Sequence, residues 1–155
     1  MKRFSMAVGA VMAFWPMTAE AADCSDRNNQ CTRVVGCILG AQNELFIGEV
    51  YGVETGLFEA VSSAGATCSG TFRRTQIGTA KVRTTCTDGR SGRATFFYYD
   101  KKTGTGRGKG RMSDGKQIVF WAGDNLMDYF KKEQAREFSD LVSCGIDALE
   151  NAPNS

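Results

Sequence analysis

The sequence predicts a mainly β fold: an antiparallel meander of about seven strands forming a curled sheet or small barrel, with a C-terminal amphipathic helix and disulfides. Three observations carry this. Short segments alternating between apolar and polar residues follow one another every eight to twelve residues through the middle of the chain. Asp-Gly stands at the centre of Thr87-Asp88-Gly89-Arg90 and again of Ser113-Asp114-Gly115-Lys116, a pair that accepts the positive φ of tight hairpins. Helical periodicity is strong only near the C-terminus.

Taken in order, Lys2 and Arg3 precede an apolar run from Met6 to Met17 that ends in the small residues Ala19, Ala21 and Ala22. This is the pattern of a secretory signal peptide over 1–22, too short and too interrupted by Pro16 for a membrane span of about 20 residues. Asp23 before Cys24 excludes the small residue that a lipoprotein signal requires there. Residues 23–155 are expected to form a single disulfide-bonded β-rich domain, periplasmic or secreted. A second, weaker helix is expected within Ser25 to Leu39. Strands are placed near 45–51, 57–62, 66–73, 79–86, 93–99, 105–112 and 117–121. A helix over 125–149, capped by Asp124 or Asn125, carries Leu126, Phe130, Phe138, Leu141, Val142, Ile146 and Leu149 as an apolar stripe that covers an end or face of the sheet.

All six cysteines lie in the exported part, and an even number there favours three disulfides. If 66–73 and 79–86 form a hairpin about Gln76 and Ile77, Cys68 and Cys86 stand opposite and pair. Cys24, Cys31, Cys37 and Cys144 keep three possible pairings, at least one of which ties the amino-terminal segment to the C-terminal helix. No C-x-x-C pair occurs and the chain has no histidine. The usual zinc patterns therefore cannot be assembled, and the Ser-His and Cys-His nucleophile pairs are excluded. No metal, no cofactor and no catalytic residue is expected.

Charge is segregated. Residues 70–116 hold twelve Lys or Arg against Asp88, Asp100 and Asp114, whereas the flanking regions are acidic and the whole chain is only +2. Within the block, "KKTGTGRGKGRMSDG" from Lys101 invites a phosphate-loop reading. The Walker pattern fails because Thr103 occupies the first glycine position and Gly110 the hydroxyl position. The dinucleotide fingerprint fails at Lys109. Lys102-Thr103-Gly104 and Ser113 with Lys116 spell two elements of serine penicillin-binding enzymes, but in the wrong order and on a turn.

Treated as a strand, the segment puts Thr105, Arg107, Lys109 and Arg111 on one face and Gly106, Gly108, Gly110 and Met112 on the other. The segment from Gly78 aligns with that from Gly104 at an offset of 26, so Lys81 and Arg83 match Arg107 and Lys109. Arg73, Arg74, Arg90 and Arg93 extend the same surface. The bare glycine face leaves room for rings of the neighbouring Phe96 to Tyr99, with Phe96 and Tyr98 filling the core and Phe97 and Tyr99 free to stack. The expected function is a non-enzymatic binding module whose Lys81, Arg83, Arg107, Lys109 and Arg111 meet an anionic polysaccharide, a glycolipid or an acidic protein surface. Nucleic acid ranks below these. The alternative is an inhibitor or accessory protein that docks on another exported protein.

Overall fold

The parity of residue number along each strand decides the architecture, because successive side chains point to opposite sides of a sheet. In the computed structural model, which describes Cys24 and residues 31–100, 105–134 and 139–151, even-numbered strand residues turn inward and odd-numbered ones outward, except past a bulge in the sixth strand, where the register shifts by one. The strands are β1 (Cys31–Ile38), β2 (Glu44–Gly52), β3 (Thr55–Ser62), β4 (Thr67–Arg74), β5 (Ala80–Cys86), β6 (Ser91–Asp100), β7 (Thr105–Met112) and β8 (Gln117–Ala122). Each pairs antiparallel with the next, and β8 returns to β1 through Val34↔Ala122 to Ile38↔Ile118, closing an eight-strand barrel. The signal-peptide region 1–22 lies outside the described residues, as do 25–30, 101–104 and 135–138.

Two expectations are corrected. Cys31 to Ile38 is not part of a helix but the strand β1, the eighth that closure needs. Its inward Val34 and Ile38 line the lumen while its outward Val35 and Cys37 are fully covered, so both faces are apolar and strand alternation disappears from the sequence. The C-terminal helix is described as two, α1 (Leu126–Gln134) and α2 (Ser139–Glu150). They lie on the outside of the barrel, over β1, β2 and β8 rather than across an end. There Leu126, Tyr129, Phe130, Val142 and Ala148 pack with Val35 and Trp121, and the Trp121 and Phe130 rings meet edge to face at 5.2 Å.

Four hairpins share one turn. In the loops ending at Gly65, Gly78, Gly89 and Gly115, the glycine N–H donates to the carbonyl three residues back and φ lies between 80° and 86°. This is a three-residue loop closed by a left-handed glycine, the form suited to strands with right-handed twist. Asp88 and Asp114 precede two of these glycines because their carboxylates accept the N–H of Arg90 (3.0 Å) and Lys116 (3.1 Å).

Glycines also line the lumen wherever an aromatic ring crosses it. Phe46 faces Gly36, Phe58 faces Gly70, Phe72 faces Gly56, and both Phe96 and Phe120 face Gly108 across the ladders. A Cβ on Gly108 would stand 2.2 Å from the Phe120 ring, so the bare face of β7 is where that ring lies. The ring over this glycine is therefore chiefly that of β8. Phe96 meets Phe120 edge-on at 4.5 Å, and Phe97 turns outward at a bulge between Phe96 and Tyr98.

All six cysteines are paired: Cys24–Cys31, Cys37–Cys144 and Cys68–Cys86. That state belongs to an oxidising compartment rather than a reducing cytosol. Cys68 and Cys86 stand directly opposite in the β4–β5 register and close the lumen near one end. Cys37–Cys144 bolts α2 to β1 across 107 residues, a span whose closure is worth about 4.7 kcal/mol in the chain-entropy account. No described helix is long and apolar enough to cross a membrane.

The barrel mouth above Cys68–Cys86 is spanned by an ion pair. Arg90 donates through both terminal nitrogens to the two oxygens of Glu44, each at 2.7 Å, and its Nε donates to Asp88 at 2.8 Å. Glu44 begins β2 and Arg90 precedes β6, so the fork reaches between opposite walls. The hydrogen bonds from Arg90 hold the Glu44 carboxyl below its ordinary range against burial that pushes it up, with a hydrogen bond from Ser62 assisting.

Two outcomes follow from this packing. Gly108→Ala should cost about 1–3 kcal/mol through overpacking against Phe120, and Gly115→Ala, which meets open space, about 1–2 kcal/mol through its backbone conformation alone; urea denaturation of both variants measures the difference. Because the Glu44 carboxyl is lowered on folding, the stability it supplies is complete above its ordinary pKa of about 4.3 and is lost as pH falls through the lowered value. Glu44→Gln should therefore lose about 1–2 kcal/mol at pH 7, and this deficit should shrink toward zero in denaturation series carried to acid pH.

Candidate anion-binding site

Odd-numbered residues of β4 to β7 form the outer wall away from the helices. In one cross-strand row Thr71, Arg83, Arg93 and Arg111 are successive neighbours, and in the next Arg73, Lys81, Thr95 and Lys109. Arg73, Lys81, Arg83, Arg93, Lys109 and Arg111 are all exposed. None of these six makes an ion pair among the described residues, although Arg111 donates to the Gly115 carbonyl at 3.2 Å. Adjacent strands stand about 4.8 Å apart, so three guanidinium groups rise side by side with no carboxylate between them.

Of the residues expected at this site, Lys81, Arg83, Lys109 and Arg111 stand on this wall in solvent. Arg107 is half-buried at its margin, between Tyr98 and Trp121 in the register, with its guanidinium carbon 5.5 Å from the centre of the Phe97 ring. Lys109 places its ammonium at the same distance from that ring. Phe97, 44% exposed, is thus an aromatic surface held between two cations.

Arg93, expected to extend this surface, stands at the centre of the first row between Arg83 and Arg111. Arg90 does not belong to the wall. Its even number turns it to the mouth, where Glu44 and Asp88 hold it and raise its pKa. Arg74 lies at the rim in register with Ala80, whose parity is inward.

The acidic counterpart lies on another part of the barrel. Glu49 and Glu59 are opposite one another on the outside of β2 and β3. Glu49 accepts the Tyr51 hydroxyl and, at 3.1 Å, the Cys24 N–H. Burial and the neighbouring carboxylate push the Tyr51 hydroxyl up to about 12. This pair of carboxylates was not apparent in the sequence, because only the β2–β3 register sets Glu49 against Glu59. It lines neither the lumen nor the depression bordered by Lys81, Arg83, Arg93, Lys109 and Arg111.

Fold and surface together define a small closed antiparallel barrel with one wall given to cations and another to helices. No protein-family model matches the chain, and no curated protein matches it. Among solved structures it is similar to a redesigned β-barrel, mFAP1, bound to DFHBI, with a TM-score of 0.49 and 15% identity over 62% of this chain and 94% of that one. A second redesigned barrel, mFAP0 bound to DFHBI, gives 0.49 and 16% over 62% and 97%. A fluorescence-activating β-barrel designed de novo gives 0.47 and 13% over 61% and 91%. The likeness is one of backbone course, and neither ligand nor role transfers with it.

Like charges directly opposite on adjacent strands destabilise a sheet. Arg93→Ser, which removes the middle member of the row, should stabilise the protein by about 0.5 kcal/mol at low salt, with the gain fading as screening sets in near 0.15 M. Thermal unfolding of wild type and variant at two salt concentrations measures it.

Proposed function

We propose that the protein is an exported, non-enzymatic binding module that holds an anionic envelope polysaccharide or glycolipid against the outer wall of β4 to β7. The observation that supports this reading is the row Arg83, Arg93 and Arg111: three exposed cations in direct register, costly to the free protein and without ion-pair partners among the described residues. A polyanion relieves that repulsion and releases the ions condensed around it. Guanidinium groups suit phosphate, sulfate or carboxylate because their forked donors engage two oxygens at once. Lys81, Lys109 and Arg107 flank the row, and the Phe97 ring offers a flat apolar surface to a sugar face.

The signal-peptide pattern at 1–22 and the three disulfides support export. A non-enzymatic role is supported by the chain's lack of histidine and by the commitment of Asp88 and Asp114 to Arg90 and Lys116 at hairpin turns.

Heparin serves as the probe. Wild type should bind with an affinity that falls steeply between about 50 and 200 mM salt, as counterion release requires. Arg83→Ser combined with Arg93→Ser and Arg111→Ser should fold normally and weaken binding about tenfold or more at low salt, with a shallower salt dependence. Equal retention of wild type and the triple variant on the heparin column would overturn the assignment.

A further inference from the structure

The cation wall leaves the inside of the barrel unused. We propose that the lumen is a second binding site, for an uncharged apolar molecule about the size of benzene or smaller. It contains a cavity of about 90 Å³, walled by Phe58, Phe96, Phe120 and Met112 together with the small side chains of Ala60 and Ala94. Protein interiors close-pack, and voids larger than a water are few. This one has several times the ~10–15 Å³ that a water requires.

Water is a poor occupant. A buried water needs two to four polar partners, and Thr84 supplies the lining's one hydroxyl, already donating to the Ser69 carbonyl at 3.1 Å. Apolar cavities of this kind remain dry and admit benzene or xenon, as one of ~150 Å³ does. The present cavity is smaller, but Met112 in its wall has three rotatable bonds and adapts to an occupant.

The glycines explain why the space lies within the lumen rather than at its wall. At Gly56, Gly70 and Gly108 an added Cβ would collide with a ring or with backbone, so the wall is already filled by Phe72, Phe58 and Phe120. One mouth is blocked by the Glu44–Arg90 pair above Cys68–Cys86. Toward the other end the Phe72 ring lies over Gly56, in register with Gly52. A charged or strongly hydrogen-bonding molecule is rejected, because the lumen offers it no ion pair and almost no donors or acceptors.

The test is a titration of the secreted, disulfide-bonded protein with benzene, followed by methyl NMR and thermal unfolding, with xenon as a smaller second probe. Saturable shifts at the Met112, Val82 and Ala94 methyls, and a melting temperature that rises with benzene, are expected. Ala94→Leu fills the cavity and should weaken benzene binding at least tenfold while heparin binding is retained. Val82→Leu adds one methylene to the same wall and serves if Ala94→Leu fails to fold. Folded wild type that shows no saturable shift with either probe, or a folded filled variant that binds benzene as wild type does, overturns the proposal. Loss of heparin binding by the arginine variants with benzene binding unchanged separates this site from the outer one.

Discussion

Closure of the ladder between β1 and β8 is the contact on which the rest of the structure depends. The other seven ladders join strands consecutive in the chain, whereas this one must bring together segments from near the two ends of the described barrel. Loop-closure entropy opposes it most. The helices and the Cys37–Cys144 disulfide are concentrated there: α2 rests on β1, β2 and β8, and the bolt leaves from β1 itself. Once closed, the sheet has no free edge to pair with another chain, and inward and outward parity is set all around the ring.

That parity distributes chemistry around the wall. On β1, β2 and β8 the outward residues include Val35, Ile47, Val119 and Trp121, and these take the helices. On β5 to β7 they include Lys81, Arg83, Arg93, Lys109 and Arg111, and no described helix contact of comparable extent covers them. The inward residues form a separate apolar compartment sealed at one mouth by Arg90 and Glu44. One strand such as β7 therefore serves two environments at once, with glycines against the Phe120 ring and cations toward solvent.

Much of the barrel is legible in the sequence because its hairpins are local. The outward cations and inward glycines of β7, the turns at Gly89 and Gly115 and the opposition of Cys68 and Cys86 all follow from alternation and short-range turn chemistry. β1 is not legible in this way. Val34-Val35-Gly36-Cys37-Ile38 is apolar on both faces because the lumen lies on one side and the helices on the other, and a doubly buried strand has no period of two to read. Arg90 is illegible for another reason. It lies beside the cation block in sequence, but Glu44, its partner in the ion pair, is 46 residues away and only the closed ring brings them together. Arg93 is legible as part of the cationic surface, but its seat between Arg83 and Arg111 is set only by the β6 register.

Trp121 has a consequence of its own. It is the one tryptophan among the described residues, 1% exposed, lying at the junction of barrel and helices with its ring against Phe130. Intrinsic tryptophan emission from this region is therefore a local signal of whether the helices remain seated on the barrel. The phenylalanine-lined lumen and the cation wall are optically quiet beside it, so in protein lacking residues 1–22, which hold Trp15, undocking of the helices can be followed through the Trp121 indole while the ring of strands stays intact.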